Sequence, residues 1–285
     1  MEKQVNYKTV SVDGINIFYR EAGDPSKQQI ILLNGVPNAS SAFQELMNDL
    51  KDDYYMVAPD FPGFGNSDVP DTKDYEYTFD NISRTIEKFM EVIGLQHPNV
   101  YALGYGGPVT FRIGTRRPDI FNNFIFQNSN AYEEGLGPAM ADAAPFLENR
   151  NEQTTKLVTP LLTLEGIKLF FLYGAKDLNK INPDHYINAL HYLNRPGQKK
   201  IQLDLLYNYA SNMAEYPNWQ KWLKDTQPRI LLVWGKNDAF FPLAAAEAIK
   251  REVPTAKLHA YDTSHLALEE YHHEIAGNIR EFLGK

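Results

Sequence analysis

The chain has 285 residues, 43% of them hydrophobic, enough for one large α/β unit or for a core carrying an inserted module. A net charge of -8, with no Lys/Arg run, argues against nucleic acid or an anionic membrane as the main partner. Cysteine is absent, which removes a disulfide framework, a thiolate metal site and a cysteine nucleophile.

The opening residues, Met1-Glu-Lys-Gln-Val-Asn-Tyr7, hold no apolar signal core, and no apolar stretch is long enough to span a bilayer. A soluble cytoplasmic protein is the expectation. Residues 7–12 and 15–20 flank Asp13-Gly14, which predicts a hairpin. Short apolar runs at 30–33 and 55–58 are followed by Asn34-Gly35-Val36-Pro37 and by Pro59-Asp-Phe-Pro-Gly-Phe-Gly65. Such runs alternating with helices predict buried parallel strands. Apolar residues at Ile82, Ile86, Phe89, Met90 and Ile93 form a helical stripe over 79–93, ended by Gly94. Further strands are expected at 100–103 and 124–126, with a helix over 107–115 between them.

From about residue 133 to 224 the alternation stops. Pro145, Pro160, Gly166, Gly174, Pro183, Pro196, Gly197 and Pro217 break this region into several predicted helices. Strand signals return at 229–234, before Gly235-Lys-Asn-Asp238, and at 257–261, before Asp262-Thr-Ser-His265. A last helix is expected over 272–283. The division that follows is an α/β core from 1–132 and 225–285, with 133–224 as an inserted helical cap.

Residues 101–108 read Tyr-Ala-Leu-Gly-Tyr-Gly-Gly-Pro. This is the shape of a nucleophile elbow, in which small residues flank a strained turn that presents the nucleophile between strand and helix. Ala102 and Gly106 are the small residues, so the nucleophile slot falls on Gly104. Glycine has no Cβ, relaxes the turn and brings no reactive atom. A plain glycine turn is the competing reading. A dinucleotide loop is weaker, because Gly104, Gly106 and Gly107 do not give the G-x-G-x-x-G spacing.

Ligands of open α/β sheets bind beyond the carboxyl ends of the strands. There the chain places, in order, Asn34-Gly35-Val36, Gly104-Tyr105, Asp238 and His265. That is the order of an oxyanion loop, a nucleophile slot, an acid and a histidine. Asp238 has a rival role as cap of a helix over 242–250. Asp60 is expected to fix its own loop, and Ser129 lies off the elbow. No metal or other cofactor is implied, and the expected partner is a small molecule.

These motifs resemble the α/β-hydrolase superfamily over almost the whole chain. The resemblance rests on Asn34-Gly-Val-Pro37, Ala58-Pro-Asp-Phe-Pro-Gly-Phe-Gly-Asn-Ser67, the elbow, Trp234-Gly-Lys-Asn-Asp238 and Asp262-Thr-Ser-His265. The segment Phe126-Gln-Asn-Ser-Asn-Ala-Tyr-Glu-Glu-Gly135 is similar to the branch of haloalkane dehalogenases and epoxide hydrolases, which use an Asp nucleophile. The resemblance implies an α/β-hydrolase fold, a mostly parallel sheet with a helical lid. It puts Gly104 in the nucleophile's place, Asp238 in the acid's and His265 in the base's, with backbone N–H groups of Val36 and Tyr105 as the oxyanion hole. Asn34, Tyr186, Tyr209 and Phe240 are the expected substrate contacts, with Tyr192 and Tyr207 as further lid tyrosines. The branch's Trp after the nucleophile is here Tyr105, its His-Gly is Asn34-Gly35, and Gln220 stands where a lid tyrosine is expected.

Three readings of Gly104 follow. The chain is a hydrolase of a small apolar organic substrate that has lost its covalent step. Or it is a non-covalent enzyme that uses His265 and Asp238 as general base. Or it is a small-molecule-binding protein that reuses the pocket.

Overall fold

The computed structural model describes residues 4–284. Met1 to Lys3 of the opening segment, and Lys285, lie outside the described residues. The first two strands, β1 (Asn6–Val12) and β2 (Ile15–Ala22), form the expected hairpin. Asp13 (φ 51°) and Gly14 (φ 84°) both take positive φ, the requirement of the tight turn whose twist matches its strands. The remaining strands are β3 (Gln29–Leu33), β4 (Tyr55–Pro59), β5 (Asn99–Leu103), β6 (Phe124–Gln127), β7 (Ile230–Gly235) and β8 (Lys257–Tyr261). The sheet runs β1-β2-β4-β3-β5-β6-β7-β8. Only the β1–β2 and β2–β4 pairings are antiparallel; the other pairings are parallel. Every residue of β5, β6 and β7 is buried, which is why they appear in the sequence as continuous apolar runs.

The core helices are α1 (Gln44–Leu50), α2 (Phe79–Ile93) and α3 (Gly106–Arg116). Thr78 caps α2 by accepting from Asn81 N at 3.2 Å, and Gly94 (φ 76°) ends it in a left-handed turn. Between β6 and β7 come α4 (Pro138–Glu148), α5 (Glu152–Val158), α6 (Leu164–Leu172), α7 (Pro183–Leu193) and α8 (Gln198–Thr226). Then α9 (Leu243–Glu252) joins β7 to β8, and α10 (Leu268–Leu283) ends the fold.

Chain direction sets the layers. From β3 the chain moves through α1 toward β4, one way across the sheet. From β4 it moves through α2 to β5, then through α3 to β6, the other way. Right-handed crossovers therefore put α1 on one face and α2, α3 and α9 on the other. α10 packs on α1 and α8 on α3. The two senses of travel diverge between neighbouring strands β3 and β5. A crevice opens at such a switch point, outside the carboxyl ends.

Two expectations change. Pro145, Gly166 and Pro217 do not break helices: each lies inside one, α4, α6 and α8. The final helix starts at Leu268 rather than 272, because Tyr271 (φ -129°, ψ 22°) kinks it and only the part beyond the kink keeps a clean period. α1 escaped the sequence reading because seven residues are too few to show a stripe.

Candidate active site

The loop after β3 and the elbow after β5 meet at the switch point, and glycine lets them touch. A Cβ on Gly35 would lie 2.7 Å from Tyr105 N and 2.8 Å from Leu103 O. One on Gly106 would lie 2.3 Å from Leu33 O, so both positions exclude side chains. Gly104 has φ 52°, at a sharp turn between strand and helix. A Cβ built there would sit 3.2 Å from His265 Nε2 and 3.6 Å from Gly35 Cα. The missing side chain thus points at the imidazole. Among the described residues, no backbone acceptor takes the N–H of Val36 or of Tyr105.

His265 follows β8 and Asp238 follows β7; they are 3% and 4% exposed. His265 Nδ1 lies 2.7 Å from Asp238 Oδ2. A carboxylate only accepts, so Nδ1 carries the proton and Nε2 is left with its lone pair toward Gly104. Asp238 is held from two other sides: Asn128 Nδ2 donates to Oδ2 at 2.9 Å and Phe240 N to Oδ1 at 2.8 Å. The helix-cap role is not observed, since α9 is preceded by Pro242 with no side-chain cap. Phe170, Phe240 and Phe241 surround the imidazole at ring distances of 5.7, 5.9 and 6.1 Å. Three other histidines also face carboxylates, His185 with Glu269 and both His272 and His273 with Asp49. What sets His265 apart is burial of both partners and a face on the cavity.

The segment after β6 supplies groups that sequence reasoning missed. Asn128 (φ 43°) also accepts from Gly235 N at 2.9 Å and donates to Gly235 O at 3.0 Å, tying β6 to β7 beneath Asp238. Gln127 donates to His265 O at 3.2 Å. The signal was a polar run, Gln127 to Asn130, directly after an apolar strand; all four are fully buried. Ser129 donates to Ala102 O and Gly104 O, both 3.2 Å away, and so fastens the elbow. Asp60 holds its loop by accepting from Ser40 N at 2.6 Å and Asn66 N at 2.7 Å. Burial raises its pKa above the ordinary carboxyl range.

The elbow, the oxyanion loop and the segment 63–65 floor a cavity, and α4, α6, α7 and α8 roof it. The cavity has a volume of about 80 Å³. A single water needs about 10–15 Å³, so the space suits a small molecule. Phe240 lines it, as expected, together with Gly104, Tyr105, Val36 and His265. Three expected contacts lie elsewhere. Asn34 is turned into the loop, donating to Asn38 O at 3.0 Å. Tyr209 packs behind Tyr105 at a ring distance of 6.1 Å and meets Tyr216 hydroxyl to hydroxyl at 3.1 Å. Tyr186 packs on Phe171, away from the cavity. Gln220 donates to Ala131 O at 2.8 Å and is a lid anchor. Tyr192 is the lid tyrosine that does line the cavity. Burial pushes the pKa values of Tyr105 and Tyr209 upward, so both stay neutral hydroxyls.

The sequence model of the alpha/beta hydrolase fold matches residues 29–271. The chain belongs to that family. The chain is 33% identical over 272 residues to an uncharacterised hydrolase of Saccharomyces cerevisiae, covering 94% of this chain and 93% of that one. It is 21% identical to epoxide hydrolase 2 of Caenorhabditis elegans, over 86% of this chain and 70% of that one. The crystal structure of the haloalkane dehalogenase of Agrobacterium tumefaciens C58 superposes with a TM-score of 0.80, at 20% identity, over 98% of this hydrolase and 96% of that chain. The relationship to haloalkane dehalogenases and epoxide hydrolases inferred from the motifs is thereby found in the comparisons.

Proposed function

We propose that this hydrolase cleaves a small, largely apolar organic electrophile with water activated directly by His265, without a covalent enzyme intermediate. The observation that carries the reading is the buried His265–Asp238 pair, whose free Nε2 faces the position of the side chain that Gly104 lacks. Water placed between Nε2 and the substrate carbon loses its proton to Nε2 as its oxygen forms the new bond. Asp238 keeps the tautomer and stabilises the imidazolium that results. The N–H groups of Val36 and Tyr105 point at an oxygen that gains charge in the same step, the opened epoxide or ester oxygen. In an epoxide that oxygen leaves the carbon as the ring C–O bond opens and takes the proton from Nε2; in an ester it is the carbonyl oxygen, and the Nε2 proton goes to the alkoxide expelled when the tetrahedral adduct collapses.

A panel of epoxides, esters and haloalkanes tests this, with His265→Ala as control. A single turnover in ¹⁸O water should label the product fully, because no protein carboxylate donates oxygen. Mass spectrometry should find no alkyl adduct. Turnover that survives in His265→Ala sinks the mechanism. Ligand binding with no turnover across the panel shifts the reading to a small-molecule-binding protein.

A further inference from the structure

Three amide side chains line the roof and floor of the cavity: Asn38 from the oxyanion loop, and Gln198 and Gln202 from α8. They are 7%, 2% and 8% exposed. Each has a buried polar atom with no partner in the protein: Asn38 Nδ2, Gln198 Nε2 and Gln202 Oε1. Buried polar atoms are rarely left unpaired, and of the eleven such atoms among the described residues these three belong to side chains that line the cavity. Gln198 and Gln202 stand one helical turn apart, on the same face of α8, with Cβ atoms about 5–6 Å apart. Both unpaired atoms are closed off as the side chains stand; with each amide turned toward the cavity, one offers a donor and the other an acceptor. Leu206, a turn further on, is apolar, as are Leu193, Ile167 and Met140. Among the described residues no Lys, Arg, Asp or Glu lines the cavity, and the groups that meet charge, His265 and the Val36 and Tyr105 N–H groups, lie at the elbow, so at the glutamines no charged side chain compensates an ionised group.

We infer that Gln198 and Gln202 recognise one neutral group of the substrate that both donates and accepts, a hydroxyl or a carboxamide, at the end of an otherwise apolar molecule. This rests on the hydrolase reading above and names its substrate class. Gln198 Nε2 donates to the group's oxygen, and the group's O–H or N–H donates to Gln202 Oε1. Asn38, on the core side, is left to donate to an oxygen nearer the reacting carbon. An ether accepts but cannot donate to Gln202, and an alkyl end leaves both glutamines unpaired.

Binding separates this inference from catalysis. Dissociation constants of the full chain would be measured for hexan-1-ol, hexanamide, 1-methoxypentane, hexanoate and hexylammonium. The alcohol and amide should bind about tenfold tighter than the ether, the worth of one hydrogen bond kept rather than lost. Both ions should bind more weakly still. In Gln198→Met and Gln202→Met, which keep length and volume, the preference should fall toward unity. An ether that binds the unmodified protein as tightly as the alcohol overturns the inference, whether or not the variants fold. So does a preference that persists in both folded variants. Turnover is read separately on terminal epoxides ending in hydroxyl or methoxy. Selective binding without turnover sinks the hydrolase reading alone; turnover without selectivity sinks the recognition alone.

Discussion

Gly104 keeps a left-handed backbone at a turn that, with any other residue, would aim a side chain at His265. Gly104→Asp places a carboxylate between Nε2 and the Val36 and Tyr105 amides. Its cost is the left-handed conformation, about 1–3 kcal/mol, in a region where Asp is among the better-tolerated residues. The variant should fold, with a lowered Tm, and form an alkyl adduct visible by mass spectrometry in Gly104→Asp/His265→Ala with haloalkanes or epoxides. A folded variant with neither adduct nor turnover counts against Asp-nucleophile ancestry. Asn128 offers a second test. Asn128→Gly keeps its positive φ without strain but removes the bridge between Asp238 and Gly235. Hydrogen bonds to a charged group are worth about 1.5–3 kcal/mol, so urea unfolding should show a loss in that range. The dyad and the elbow could be read from the chain because strand ends fix where Gly104, Asp238 and His265 emerge. Asn128, Gln198 and Gln202 could not, since no spacing rule marks an amide as facing a cavity. Tyr186 and Tyr209 show the converse, a suggestive residue type on a helix whose rotation the sequence leaves open.

At the scale of elements, two consecutive carboxylates of α10 hold the lid. Glu270, 6% exposed, accepts from Asp177 N at 2.8 Å and Lys176 N at 3.2 Å, and also binds the Thr263 hydroxyl. Glu269 pairs with His185 of α7 at 2.8 Å. The hydrogen bond to Glu269 raises the His185 pKa above its ordinary 6.5, against the lowering effect of burial. The folded value exceeds the unfolded one, so the pair's stabilisation is fully present below about pH 6.5 and fades as pH rises through the raised value. Hydrogen exchange of α7 amides should therefore quicken across that window beyond the chemical trend, and the excess should vanish in His185→Gln. Equal profiles for both proteins would mean the pair holds nothing. The parallel strands were legible because burial on both faces writes them as apolar runs. The lid was legible as helical but not in its divisions, because Pro145 and Pro217 are carried inside helices whose packing outweighs a lost hydrogen bond.

Seen whole, the lid is not a separable module. α8 spans 29 residues, and its first half lines the cavity while its second half completes the core. Trp219 stacks on Phe111 at 5.1 Å and Trp222 meets Phe124 edge-on at 5.3 Å. Arg112 binds Ser211 at 3.0 Å and Asn212 at 3.1 Å, and Asn208 accepts from Phe79 N at 2.9 Å. Trp219→Ala should cost about 3–5 kcal/mol, and the protein should unfold in one transition seen alike by near- and far-ultraviolet circular dichroism. Two separate transitions would show that lid and core fold independently. While α8 is pinned at 208, 211 and 212, the clamp on the 176–177 turn ahead of α7 is Glu270. That residue lies five positions after His265 in a single short run of chain. Glu270 thus ties the 176–177 turn, and through Thr263 the loop that carries His265, to one stretch of chain. If a ligand tightens that clamp it should also steady the imidazole, and by thermodynamic reciprocity Glu270→Gln should then weaken ligand binding, which a titration of both proteins with the same ligand checks.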